Sequence, residues 1–186
     1  MNVSEKQLKK EYVYKGKIIN VRRDIALLPN GKEAAREVVE HNGGVCVAAM
    51  DDKGCVYTVS QFRYPYSEEI LEIPAGKRES LTEDPLECGK RELKEETGLT
   101  ADNFIFLGKL YPTPGYCGEI IWMYAATGLH KGATDFDEDE FLNIKKIKLE
   151  ELFEMVMSGE ITDAKTQTAI LKLKILKESG KISEIK

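Results

Sequence analysis

The sequence predicts an α+β protein, a mixed β-sheet with helices on its faces (an α/β/α sandwich). A small antiparallel β region over residues 1–42 precedes a main domain over 43–186. Three observations carry this. Residues 11–62 are runs of β-branched and aromatic residues broken by turn signals. One strongly capped helix then follows, at 85–97. Further strand-like runs come next, and the chain closes on two helices. The order β, β, β, α, β, β, β, α, α calls for a sheet covered by helices.

Residues 11–28, EYVYKGKIINVRRDIALL, mix β-branched and aromatic residues with polar ones as strands do, and Pro29-Asn30-Gly31 is a strong turn signal. AREVVEH (35–41) reads as the strand leaving that hairpin. VCVAAM (45–50) suits a buried strand, Asp51-Asp52-Lys53-Gly54 turns the chain, and CVYTVSQF (55–62) returns it. Beyond the helix, FIFLGKLY (104–111) and EIIWMYAATGL (119–129) flank the Pro/Gly loop PTPGYCG. The acidic stretch TDFDEDE (134–140) leads into a strand, FLNIKKIKL (141–149). The closing helices are LEELFEMVMSG (149–159) and a segment N-capped by Asp163, with Ala169, Ile170, Leu173 and Leu176 at helical spacing.

The helix at 85–97 has its ends written locally. Asp84 is an N-cap, Pro85 fits the first helical position, Glu87 three after the cap completes a capping-box pattern, and Gly98 suits a left-handed C-terminal stop. At 100° per residue, Leu86, Gly89, Leu93 and Thr97 form an apolar or small face. Glu92, Glu95 and Glu96 form a second face of like charge, with Arg91 and Lys94 off it. Like charges at this spacing destabilise a helix by about 0.2–0.5 kcal/mol a pair. A solvated face and a cage for a hard cation, Mg²⁺ or Mn²⁺, both account for the three glutamates.

Composition narrows the classes. The chain has 186 residues, 42% hydrophobic and 32% charged, enough for one domain with a sizeable core. A net charge of −5 argues against nucleic-acid binding. No apolar run has membrane-spanning length, and the charged N-terminus lacks a signal-peptide core, so a cytoplasmic protein is expected. Cys46, Cys55, Cys88 and Cys117 form no CxxC pair and lie near neither His41 nor His130 at ligand spacing, which fits thiols in a reducing compartment.

Residues 76–99 resemble the Nudix box: glycine, five residues, glutamate, seven residues, then Arg-Glu-apolar-x-Glu-Glu-x-Gly-apolar. Arg91 to Leu99 (RELKEETGL) matches every fixed position, and seven residues, DPLECGK, separate Glu83 from Arg91. Chance would produce the Arg, three Glu and Gly on the order of once per million windows. One departure stands: six residues, KRESLT, separate Gly76 from Glu83. A loop accepts an extra residue readily, whereas one inside the helix would turn every glutamate by about 100°.

The resemblance implies roles by position. Glu92 and Glu96 would be metal ligands, Glu95 a further ligand or water holder, and the Ala75 carbonyl a backbone ligand. Gly76, Glu83, Arg91 and Gly98 would be structural, with Arg91 pairing a box glutamate. LEIPAGK, QFRYP (61–65), AREVVEH, YPTPGY (111–116), Pro114 and DAKT (163–166) look like the ADP-ribose pyrophosphatase group within the family. That likeness implies hydrolysis of ADP-ribose to AMP and ribose 5-phosphate, a small-molecule nucleoside diphosphate sugar as partner, Mg²⁺ as cofactor, and a homodimer. It assigns Arg63 to phosphate, Arg36 and Glu37 to substrate across a dimer, and Tyr12 and Tyr14 to adenine stacking. A surface Arg63, an Arg36–Glu37 cross-strand pair and core tyrosines are the structural counterparts. The general base would be Glu138, with Glu140 as alternate, unless Glu95 or Glu96 of the box takes that part. Rival readings are a pyrophosphatase for another nucleoside diphosphate sugar, a non-catalytic ligand-sensing domain, and a scaffold with a solvated acidic helix. The sensing reading predicts lost glutamates and an attached DNA-binding module. All the helical glutamates are present, and 186 residues are expected to leave no room for such a module.

Overall fold

The computed structural model describes residues 2–132 and 142–182, and within them the chain forms two compact units. The first comprises Met1–Gly43 and Tyr111–Ile120. It contains an antiparallel sheet of β1 (Lys6–Lys15), β2 (Asn20–Leu27) and β3 (Glu33–Glu40), in that order. The stretch 11–28, strand-like throughout in sequence, is divided at Gly16. Its N–H donates to the Ile19 carbonyl at 2.9 Å, and a Cβ there would fall 2.6 Å from Tyr14 Cε1. A glycine here leaves the Tyr14 ring in place and clears the Ile19 carbonyl, 3.0 Å from that Cβ, where β1 folds back as β2. The expected turn at Gly31 forms with φ 80° and a 2.9 Å hydrogen bond to the Leu28 carbonyl. Tyr111–Ile120 joins this unit through β3: Val39 N–H donates to Tyr116 O at 2.8 Å, and Gly118 N–H to Val39 O at 2.9 Å.

The second unit comprises Gly44–Leu110 and Ile121–Lys186. In chain order it holds β4 (Gly44–Ala49), β5 (Cys55–Arg63), β6 (Glu68–Glu72), β7 (Ala75–Lys77), α1 (Pro85–Thr97), β8 (Leu99–Leu110), β9 (Ile121–Lys131), β10 (Asn143–Lys148), α2 (Leu149–Ser158) and α3 (Ala164–Glu178). The central sheet has the order β7-β4-β9-β8. β4 runs parallel to β9 and antiparallel to β7, so the sheet is mixed. A second, antiparallel sheet has the order β10-β5-β6.

Strand alternation in β4 divides the core. Val45, Val47 and Ala49 pack with Cys88 and Leu93 of α1. Cys46, Ala48 and Met50 pack on the other side with Leu149 and Leu152 of α2 and Ala169, Ile170 and Leu173 of α3. This is the expected α/β/α sandwich. Each fully buried leucine, such as Leu93 or Leu173, stabilises it by about 2 kcal/mol. No helix among the described residues is long and apolar enough to cross a membrane.

Candidate active site

α1 starts and stops where its local signals place it. The Asp84 carboxylate accepts from the N–H groups of Leu86 (2.8 Å) and Glu87 (3.2 Å), Pro85 opens the helix, and Gly98 closes it at φ 69°. The capping box is not completed: the Glu87 side chain pairs with Lys90 at 2.7 Å, one turn on. Cys88, Gly89 and Leu93 pack on the sheet, and a Cβ on Gly89 would sit 3.1 Å from Val45 Cγ2. The next face carries Glu92 and Glu96, only 7% and 2% exposed. The acidic face is therefore not a solvated one at these two positions, and burying charge requires compensation.

β7 supplies part of that compensation. Ala75 N–H donates to Glu96 Oε2 at 3.1 Å. Gly76 lies so close to Glu92 that a Cβ would fall 1.9 Å from its Cδ. The backbone of LEIPAGK thus lies directly against both buried carboxylates, which is why the box needs a residue without a side chain there.

Arg91 supplies more. Helical spacing sets it off the acidic face, but it crosses to pair box glutamates as the resemblance implied, reaching Glu92 at 2.8 Å and Glu95 at 2.9 Å, with Glu83 at 3.5 Å and the Lys77 carbonyl at 3.4 Å. Burial works against its charge, but Glu92 and Glu95 outweigh that and push its pKa above the usual range. The lengthened loop has its own organiser, which sequence reading missed. Buried Arg78 donates to the carbonyls of Leu81 (2.7 Å) and Glu83 (3.0 Å) and stacks over Trp122 at 4.6 Å. Glu83 accepts from Glu79 N–H at 2.6 Å, so it closes the loop while facing Arg91.

A second buried cluster adjoins β7 along the chain. Arg63, at the end of β5, grips Glu72 of β6 through Nε and Nη2, both at 2.6 Å. Lys165 of α3 donates to the same carboxylate and, at 3.0 Å, to Asp163, the N-cap of α3. Thr166 Oγ1 accepts from Ile73 N–H at 3.0 Å and donates to Asp163 at 2.6 Å. Burial pushes the Glu72 carboxyl up, but Arg63 and Lys165 prevail and hold it below its ordinary value. Glu72, in turn, raises the Arg63 pKa, with Asp163 and Glu96 adding to it, so Arg63 lies within electrostatic reach of the acidic face of α1. Sequence reading noted Arg63 and DAKT but not Glu72; its signal was an acidic residue in the apolar run ILEIPA.

The other predicted residues divide as follows. Arg36 pairs with Glu5 through Nε (2.8 Å) and Nη2 (2.6 Å), not with Glu37. Arg36, Glu37, Tyr12 and Tyr14 belong to the first unit, where Tyr12 and Tyr14 are exposed rather than core and Lys10 and Lys15 flank the Tyr12 ring. Glu138 and Glu140 lie outside the described residues. Among the described residues, no three His, Cys, Asp or Glu side chains converge to hold an ion unaided. Burial pushes the Cys46 and Cys88 thiols up to about 12, which leaves neither a ready nucleophile.

Comparison with known proteins bears on this arrangement. The NUDIX domain profile matches residues 40–167, and that of the nucleoside diphosphate sugar hydrolase N-terminal domain matches 5–39. The chain is similar to an ADP-ribose pyrophosphatase of Bacillus subtilis (strain 168), 41% identical over 94% of this chain and 95% of that one. It is also similar to a methanol dehydrogenase activator of Bacillus methanolicus, 38% identical over 92% and 93%. Among solved structures, an ADP compounds hydrolase superposes with a TM-score of 0.83 over 97% of this chain and 98% of that one, at 21% identity, a likeness of fold.

Proposed function

The chain belongs to the NUDIX family, and on that premise we propose that it is a Mg²⁺-dependent hydrolase that cuts the diphosphate bond of ADP-ribose to give AMP and ribose 5-phosphate. The observation that carries this reading is the pair of buried carboxylates, Glu92 and Glu96, pressed against the β7 backbone. Carboxylate and carbonyl oxygens as donors suit a hard divalent cation, Mg²⁺ first and Mn²⁺ second. Glu92, Glu96 and the Ala75 carbonyl would hold it, with Glu95 at the edge, released from Arg91 on loading. Bound there, the ion would supply positive charge against the diphosphate and acidify the attacking water.

The protein's own groups do the rest. Arg63, clamped at Nε and Nη2, keeps Nη1 for a phosphate oxygen. By the family likeness, Tyr12 and Tyr14, whose rings are exposed, are assigned to stacking on a base, and Arg36 and Glu37 to substrate contacts across a dimer. Glu138 accepts the proton of the attacking water, as the family likeness suggests. Because phosphoryl transfer is mostly positioning and charge neutralisation, these few groups suffice. The solvent-exposed length of β1, with Val13 and Tyr14 open, supports a homodimer, and four unpaired thiols support a cytoplasmic setting.

The test is incubation with Mg²⁺ and ADP-ribose, ADP-glucose, GDP-mannose, NADH and dinucleoside polyphosphates. ADP-ribose should be cut fastest. Hydrolysis of another sugar nucleotide alone would reassign the substrate, and no hydrolysis at all would defeat the enzyme reading.

A further inference from the structure

The DAKT segment is left without a part in the reaction so far, yet two of its side chains, Lys165 and Thr166, are buried polar groups tied to β6 and to the residue that follows it, Ile73. Three observations meet on it. Glu72 is 3% exposed, Lys165 10% and Arg63 37%, so the cluster runs from interior to surface and ends on the guanidinium. One carboxylate, Glu72, is shared by two cations, and Asp163 shares only the inner one, Lys165. Arg63 is bound at Nε and Nη2, and its Nη1 has no partner among the described residues.

A buried carboxylate facing a single arginine would absorb that arginine's charge, and the exposed edge would then have little left to attract an anion. With Lys165 on the same carboxylate, Glu72 is partly neutralised from inside, Lys165 dividing its charge between Glu72 and Asp163. Arg63 keeps its charge available while the bidentate grip fixes the plane of the guanidinium. We propose that Lys165 is a positioning residue for the substrate diphosphate: it partly neutralises Glu72 from the interior so that Arg63, fixed by the same carboxylate, presents Nη1 to a phosphate oxygen. This rests on the hydrolase reading for the identity of the anion. The neighbouring Thr166–Ile73 hydrogen bond holds the chain two residues before Ala75 and does not run through the Lys165 side chain, although both residues bond Asp163.

The experiment compares wild type, Lys165→Met, Lys165→Arg, Arg63→Met and the Lys165→Met/Arg63→Met double variant. Two readouts are taken: KM and kcat for ADP-ribose with Mg²⁺, and Kd for ADP-ribose by calorimetry in EDTA. Losing support for one charge-assisted contact is expected to raise KM and Kd about tenfold in Lys165→Met, with kcat within about twofold. Lys165→Arg should restore both to within about threefold. In the Arg63→Met background, Lys165→Met should change Kd less than about twofold, because the arginine it serves is gone. A Lys165→Met protein that binds as wild type overturns the proposal, and so does one whose loss is undiminished without Arg63. If Lys165→Met fails to fold, Lys165→Gln carries the same expectations. A wild-type protein that binds ADP-ribose but cuts nothing defeats the hydrolase reading and leaves this one readable in Kd. One that neither binds nor cuts any panel compound overturns both.

Discussion

Replacing Gly76 by alanine separates stability from activity in a way the geometry makes specific. The new Cβ would lie 1.9 Å from Glu92 Cδ and 2.0 and 2.2 Å from its two oxygens, and the three nearest atoms all belong to that one side chain. Ordinary contact begins at 3.4 Å, so the Glu92 carboxylate must move by about 1.5 Å, the difference from 1.9 Å. A glutamate terminus can swing away. Gly76, moreover, is not among the glycines with positive φ, so the backbone itself accepts alanine. The folded state therefore loses little, and the unfolded state loses about 0.4–1 kcal/mol of conformational freedom in partial compensation. Net stability should change by less than about 1 kcal/mol, or about 2–4 °C in Tm for a chain this size. Activity should respond far more, since a displacement of about 1 Å in a positioned group can lower turnover about 100-fold. The assay pairs thermal unfolding with kcat/KM for ADP-ribose in Mg²⁺. A variant retaining kcat/KM within about threefold would show that Glu92's position against β7 does not matter to the chemistry. A stability loss above about 3 kcal/mol would show that the backbone, not the carboxylate, gives way.

Other outcomes are expected. Glu96→Gln should lower kcat by about 1,000-fold or more with the fold intact by circular dichroism, and Glu138→Gln should lower it by about 100-fold or more; full activity in Glu138→Gln would move the base into the box. Chelation should lower Tm: at an ion concentration about 100 times its Kd the linkage is worth about 2.7 kcal/mol, or about 5–10 °C, and an EDTA scan superposing on the Mg²⁺ scan would count against an ion at this site. Because the folded-state pKa of Glu72 lies below its ordinary 4.5, its stabilising contribution is present above about pH 4.5 and is lost as pH falls through the folded value. Urea midpoints from about pH 6 to about pH 3 should therefore fall less steeply in Glu72→Gln than in wild type, and parallel curves would refute the assignment.

How much of this was legible in the sequence depended on how far each cause reaches along the chain. Asp84, Pro85 and Gly98 bound α1 through bonds within a few residues, so its limits could be read directly, as could the spacing of Glu92, Glu95 and Glu96 and the odd length of Lys77–Thr82. The same holds for the turn at Gly31 and for the apolar pattern of α3. Gly16 was harder, since nothing in the strand-like run around it announces that β1 doubles back against Tyr14. β6 and β7 were not legible at all. A three-residue strand has no period of its own and exists because β4 pairs with it, Cys46 opposite Ala75.

The sequence by itself determined the helix, its caps, the order of the acidic residues and the family they resemble, because these follow from the backbone's period and from contacts between near neighbours. Only the tertiary structure decided that Glu92 and Glu96 are buried, which glutamates Arg91 pairs, and that Glu72 joins Arg63 to Lys165, 93 residues after Glu72. Burial and charge pairing of this kind depend on which surfaces the packed layers bring together, and that is a property of the whole fold rather than of any one segment.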